Sequence, residues 1–230
     1  MNSEQTREPQ YQRQVDMIRK QGVRPMGIRA SAMWKEDPRM LLVAFSRNKF
    51  VSKMLSGKHR VLEVGCGDGF PARIVQQEVD ELHMIDFDPL FIRQAQESVD
   101  PDWPYTAAVH DILSGPYQAG GLFDAAYSLD VIEHIPKEHE ETYLRNISRS
   151  LSPNGVLIVG SPSIQSQPYA SLVSKEGHIN CKDGQELKVL MQKFYHNVFL
   201  FSMNDEVVHT GFSPMAHYLF AIGAGNKTTA

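Results

Sequence analysis

Cysteine is almost absent from this chain: 230 residues contain two, Cys66 and Cys181. They lie far apart and match no paired ligand spacing, which excludes a disulfide framework and a cysteine-based zinc site and leaves two reduced thiols. Long apolar runs are missing as well. None reaches the roughly 18 residues that span a bilayer, and the polar first ten residues do not read as a secretory leader, so the expectation is a cytoplasmic chain that does not engage membranes. Nor is there a surplus of positive charge. Lys and Arg number 23 against 27 Asp and Glu, which is too few to neutralise a run of phosphates, and no nucleic-acid partner is expected. No internal repeat or low-complexity stretch appears.

What remains is the balance of an ordinary globular chain, with 42% hydrophobic and 22% charged residues, which suits one core with a small elaboration. Helix-forming stretches at Tyr11 to Lys20 and Pro38 to Leu55 are joined by a Gly- and Pro-containing link at Gly22 to Gly27. In the second stretch Phe50, Val51, Met54 and Leu55 fall on one helical face. From Arg60 onward, short apolar runs alternate with longer helical periods, the pattern of βαβ units on a parallel sheet. The spacing predicts strands at Arg60 to Val64, Leu82 to Ile85, Tyr105 to Val109, Phe123 to Ser128 and Val156 to Gly160. It predicts helices at Pro71 to Val79, Pro89 to Ser98 and Lys137 to Leu151, the last stopped by Ser152-Pro153-Asn154-Gly155. A helix at Asp183 to Phe194 precedes apolar runs at Asn197 to Met203 and His217 to Ile222, which fit a closing antiparallel pair.

Between the first strand and the next helix lies Glu63-Val64-Gly65-Cys66-Gly67-Asp68-Gly69. Three alternate glycines let a ligand approach the backbone where any Cβ would stand in the way. Two cofactor classes compete for this loop, because Gly67 to Ala72 also satisfies the dinucleotide pattern G-x-G-x-x-A with an acid, Asp86, about twenty positions on. The acidic Asp68 would repel a pyrophosphate at the helix start, which favours a cofactor without phosphate. A carboxylate following a strand offers two acceptor oxygens to a vicinal diol, a role for which Asp86 is better placed than Asp88.

VLEVGCGDG resembles the first motif of the class I S-adenosylmethionine (SAM) dependent methyltransferases. His83 to Asp88 resembles the second motif and Val109-His110-Asp111-Ile112 the third. Phe123-Asp124 through Asp130-Val131-Ile132-Glu133-His134-Ile135 is similar to the family's fourth-strand segment, and Leu151 to Val159 to its fifth. The resemblance spans residues 58 to 162. It implies a Rossmann-like doubly wound α/β sheet of about seven strands, the last pair antiparallel, with a tail and helical cap at 1–56 and the SAM domain at 57–230. It also implies SAM as cofactor and S-adenosylhomocysteine (SAH) as product. Glu63 would place the methionine part, Asp86 the ribose and Asp111 the adenine amino group, with Gly65, Cys66, Gly67, Phe87, Ile112 and Leu129 completing the contacts. Two alternatives stay open: Glu63 pairs with Arg60 or Arg73, and Asp111 is a turn residue.

The expected reaction is methylation of a small-molecule acceptor, most naturally at a hydroxyl. A hydroxyl needs a base, and His134 after strand four is the first candidate, with His178 in the polar segment Ser161 to Cys181 the second. Asp130, Glu133 and His134 form D-x-x-E-H; on one helical turn they would share a face able to bind a divalent cation. The ubiquinone-pathway O-methyltransferases, locally similar here, carry such a segment. Glu133 and His134 could instead only cap the next helix. Tyr11, Met33 and Trp34 in the amino-terminal helices, and Met203 and Phe212 near the end, are further candidates for substrate cover. Rival functions are methylation of a protein partner, SAM binding without turnover, and hydride transfer with NAD.

Overall fold

The apolar runs fold into one sheet, because strands buried on both faces find partners only side by side under two layers of helix. The computed structural model describes residues 5–228. Its strands are β1 (Arg60–Val64), β2 (Glu81–Asp86), β3 (Thr106–Val109), β4 (Phe123–Leu129), β5 (Leu151–Pro162), β6 (Tyr195–Asn204), β7 (Val207–His209) and β8 (Tyr218–Asn226), in the order β3-β2-β1-β4-β5-β8-β6-β7. β1 to β5 are parallel, β8 runs antiparallel between β5 and β6, and β7 folds back on β6. The doubly wound sheet with an antiparallel close is as expected, and the eighth strand is the short hairpin return β7. Between β4 and β5 the register slips, Phe123 facing Leu151 and Ala125 facing Val156, so the expected Ser152 to Gly155 turn is accommodated as a bulge.

Alternation along the strands builds two cores. Leu62, Val64, Ile85 and Ala126 face α6 (Glu140–Ser150) and α8 (Gly184–Gln192). Val61, Met84, Ala125 and Tyr127 face α3 (Pro38–Met54), α4 (Arg73–Gln76) and α5 (Pro89–Glu97). α4 is shorter than its apolar pattern suggests, because the bonds from Ala72 N to Gly69 O, Ile74 N to Pro71 O and Val75 N to Ala72 O close three-residue turns around it.

The amino-terminal region holds three helices, α1 (Gln12–Gln21), α2 (Gly27–Glu36) and α3. α2 falls in the stretch left unassigned by the sequence, and it has no side-chain cap of its own. Its start is held from outside: Gln94 Oε1 accepts from Ile28 N at 2.9 Å and Asp68 Oδ2 accepts from Ala30 N at 2.9 Å. These acceptors replace the missing local cap and lay α2 against the glycine loop.

Candidate active site

At the order reversal between β2-β1 and β4-β5 the chain leaves neighbouring strands in opposite directions, opening a crevice at their carboxyl ends. The glycine loop forms its floor. Gly65, Gly67 and Gly69 all have positive φ, +80, +55 and +70°, which only glycine adopts without strain. A Cβ on Gly65 would collide with Val131 Cγ2. Asp86 locks the loop, its Oδ2 accepting from Gly67 N and its Oδ1 from Asp88 N, each at 2.9 Å. Asp88 is spent as the cap of α5, accepting from Leu90 N, while Asp86 at the end of β2 is buried.

Glu63 lies in β1 between Met84 of β2 and Tyr127 of β4, a buried carboxyl whose Oε2 has no hydrogen-bond partner. Burial pushes it up to about 8, against the nearby Tyr127 hydroxyl and then the charge of Arg29, both of which lower it. Neither expected ion-pair partner reaches it: Arg60 bonds Glu81 and Arg73 stacks on Trp103. An orphaned buried carboxylate above a cradle of backbone is fitted to an ammonium ligand. Cys66 is buried beside it, its thiol pushed up by burial and by the Glu63 charge. Farther out, Phe87 is 74% exposed, a ring free to stack, whereas Ile112 is buried. Asp111 is exposed and its Oδ1 accepts from Leu113 N, so it does hold a turn, with its other oxygen uncommitted.

A cavity of about 420 Å³ runs from Glu63, Gly65 and Cys66 past Leu129 to Glu133, His134 and His178, roofed by α2 and α3 through Arg29, Met33, Met40 and Arg47. Met33 lines it; Tyr11, Trp34 and Phe212 are exposed and do not, and Met203 is buried in the core. Gly67, Asp86, Phe87, Asp111 and Ile112 lie outside it as well, so of the expected cofactor residues the cavity takes in Glu63, Gly65, Cys66 and Leu129, together with both expected bases.

The acidic segment after β4 departs from the helical spacing read from the sequence. Asp130 takes φ +56° and residues Ile132–His134 make a 3-10 turn, so Asp130 does not share a face with Glu133 and His134. Both Asp130 oxygens accept from Arg47 Nη1 at 2.8 Å. The expected ligand trio Asp130, Glu133 and His134 is therefore corrected: the groups brought together are Glu133, His134 and His178, with ligand atoms within 4.8 Å of one another.

Both imidazoles are oriented from behind. His134 Nδ1 donates to Gly177 O at 2.8 Å and His178 Nδ1 to Gln167 Oε1 at 3.0 Å, which leaves each Nε2 lone pair free. The rings meet edge to face at 5.1 Å. Burial, and then the neighbouring His134, lower the His178 titration. Glu133 is fully buried, with no partner for either carboxylate oxygen, and burial together with the Asp130 charge pushes it upward. A buried lock holds the His178 segment in place: Asn180 N donates to Glu133 O, Asn180 Nδ2 to Ile135 O, and Lys182 Nζ to Glu140 Oε2 at 2.6 Å. Arg29, Arg47 and Lys182 were not singled out from the sequence, since only the fold brings them here.

Residues 61–155 match a family described as a methyltransferase domain. No curated protein matches the chain significantly. Among solved structures, the N-methyltransferase NodS from Bradyrhizobium japonicum in complex with SAH shares the fold at TM-score 0.63 and 17% identity, over 91% of this chain and 97% of that one. A SAM-dependent methyltransferase from Clostridium acetobutylicum matches at TM-score 0.64 and 10% identity, over 84% and 96%. A chain from the complex of the Haloferax volcanii Trm112 methyltransferase activator with a methyltransferase matches at 0.64 and 14%, over 86% and 93%. Among the described residues no helix is long and apolar enough to cross a membrane.

Proposed function

We propose that this chain is a SAM-dependent methyltransferase of the class I superfamily, as the methyltransferase-domain match over residues 61–155 supports, and that it methylates a hydroxyl of a small molecule held in the cavity beneath α2 and α3. The observation that carries this reading is the cluster of Glu133, His134 and His178 at the far end of a cavity that begins at Glu63. SAM, when bound, supplies a methyl group on a sulfonium centre, transferred by in-line displacement to leave SAH, a step that asks chiefly for positioning and exclusion of water.

Residues of this chain meet those demands in order. Glu63 receives the methionine ammonium, the Gly65-Cys66-Gly67 backbone admits the chain of the cofactor, and Asp86 offers its remaining lone pairs to the ribose. Phe87 and Ile112 flank the adenine, with the free oxygen of Asp111 toward its amino group, and Leu129 lines the cavity between Glu63 and the histidines. His134, its Nδ1 committed to Gly177 O, presents Nε2 to take the acceptor's proton, and His178 is the second nitrogen within reach. α2 and α3 of the amino-terminal cap close the acceptor end.

A second reading rests on the orphaned Glu133 carboxylate. Glu133, His134 and His178 would hold a divalent cation, which would supply Lewis acidity to an acceptor oxygen and satisfy the buried charge. His134 would then be a ligand and not a base.

The test is transfer of label from methyl-labelled SAM across a panel of hydroxylated small molecules. His134→Ala should keep SAH affinity and lose on the order of a hundredfold or more in kcat. Unchanged turnover in that variant would remove the base role; label on a macromolecule instead of the panel would transfer the reading to a protein partner. SAH binding with no turnover on any acceptor would favour a binding module.

A further inference from the structure

We propose that a second cavity, beside the one that begins at Glu63, binds a small aromatic carboxylate whose ring carries a hydrogen-bond donor, the carboxylate meeting Arg73 and the ring donor meeting Gln76.

This cavity, of about 480 Å³, lies between the link that precedes α2, the α4 region and the loop that leads into β3, and of its lining residues only Asp68 is shared with the first cavity. Its size suits one small molecule. One wall follows from the tight turns around α4. Where hydrogen bonds close three residues back, side chains three apart stack in a row, and Phe70, Arg73 and Gln76 all line the cavity. The Phe70 ring stands 5.9 Å from Phe45 of α3, and Trp103 and Tyr105 enter from the opposite loop, so the surface offered to a ligand is largely aromatic.

Two polar groups in this wall are left over. Gln76 is only 6% exposed, and its Nε2 donates to Trp103 O and Pro104 O, which fixes the amide's orientation and leaves Oε1 buried without a donor. The Arg73 guanidinium lies 3.6 Å over the Trp103 ring, and among the described residues it has neither a hydrogen bond nor an ion pair. The acids of the cavity are already spent: Asp100 is bound to Arg24 at 2.7 Å and accepts from Asp102 N at 3.0 Å, and Asp68 accepts from Ala30 N and Phe70 N. A guanidinium stacked on one face keeps its in-plane N–H groups for a carboxylate. The amide oxygen one turn along calls for a phenol O–H or an indole N–H, and the aromatic wall for the ring between them.

The test is calorimetric titration of the full chain, with and without SAH, using indole-3-acetate, the uncharged indole-3-acetamide, and naphthaleneacetate, which lacks the ring donor. Indole-3-acetate should bind roughly tenfold or more tighter than either analogue, and SAH should not displace it. Arg73→Met should bring the acid down to the affinity of the amide and leave the amide unchanged. The chain has two tryptophans, Trp34 and Trp103, so in Trp34→Phe the emission of Trp103 alone should titrate with the calorimetric midpoint and place the probe. No binding of indole-3-acetate, no preference for it over the amide, or a preference that Arg73→Met leaves intact would overturn the proposal. So would loss of acid and amide alike in Arg73→Met, because Arg73 would then act only through Trp103, and so would displacement by SAH, because the probe would then occupy the first cavity. Equal affinity for naphthaleneacetate would overturn the Gln76 contact.

Discussion

Arg47 Nη1 lies 2.8 Å from both carboxylate oxygens of Asp130, an ion pair that ties the third helix of the cap to the end of β4 across the mouth of the cavity. The Arg47 guanidinium also stands 3.8 Å over the Tyr218 ring in β8, so one side chain joins three elements.

Asp130→Asn isolates the charge, because asparagine tolerates the left-handed backbone at φ +56° that Asp130 adopts. The variant leaves Arg47 without its counter-charge. Deeply buried pairs lose about 3–5 kcal/mol on such a change; with 17% and 19% of the two side chains still exposed, about 1–3 kcal/mol is expected. Urea unfolding should show a lower midpoint at constant slope, and an unmoved midpoint would mean that the pair does not hold the cap.

The loop glycines are not equivalent. Gly67→Ala has no clash tighter than the Arg29 contact at 3.5 Å and carries only the strain of a left-handed alanine, about 1–2 kcal/mol. Gly65→Ala adds a collision with Val131 and should be the more damaging in both thermal melts and SAH titration. Equal effects of the two variants would show that backbone conformation alone governs the loop.

Much of this architecture was legible in the sequence. The five parallel strands are short apolar runs bounded by glycine, proline and charge, and the glycine loop follows the first of them, so local chemistry marks both. Elements fixed by distant partners were not. α2 has no local cap and takes its start from Gln94 and Asp68, which no window of its own sequence contains. The Asp130 to His134 segment was read on a helical period, but a left-handed residue and a 3-10 turn break that period. His178 enters the cluster from beyond β5, and Arg47 reaches Asp130 from the cap; these juxtapositions are products of topology and leave no spacing to count.

Glu63 gives a pH signature. The folded carboxyl titrates at about 8 against an ordinary 4.5, so the native state keeps a proton that the unfolded chain has released between those values. Native stability attributable to this group is therefore fully present below about 4.5, falls as pH rises toward 8 and is flat beyond. Glu63→Gln removes the dependence, and its apo melting temperature should gain on wild type across that window, by about 2–4 °C for each kcal/mol. SAH affinity should move the other way. An ammonium favours the ionised carboxylate, so wild-type binding should tighten as pH approaches 8 and release a proton below it, while the glutamine variant binds weakly at every pH. Parallel melting curves for the two proteins from pH 5 to 8 would refute the burial-driven shift.

A cation at Glu133, His134 and His178 has a readout that does not depend on knowing the acceptor. The Glu133 carboxylate is buried without a partner, and both imidazole Nε2 atoms are left free by bonds made at Nδ1, so an ion that binds the folded state alone would raise its melting temperature by mass action. Melts with Mg²⁺, Mn²⁺ and Zn²⁺, each against a chelator, should show a rise for at least one ion. That rise should vanish in Glu133→Gln and in His178→Ala. It should survive in Asp130→Asn, measured against that variant's own lower baseline, because Asp130 is held by Arg47 and not by the cluster. A rise abolished equally by Asp130→Asn would restore Asp130 to the ligand set. No rise with any ion, together with turnover indifferent to chelator, would leave Glu133 as a protonated wall of the pocket and return His134 to the role of base.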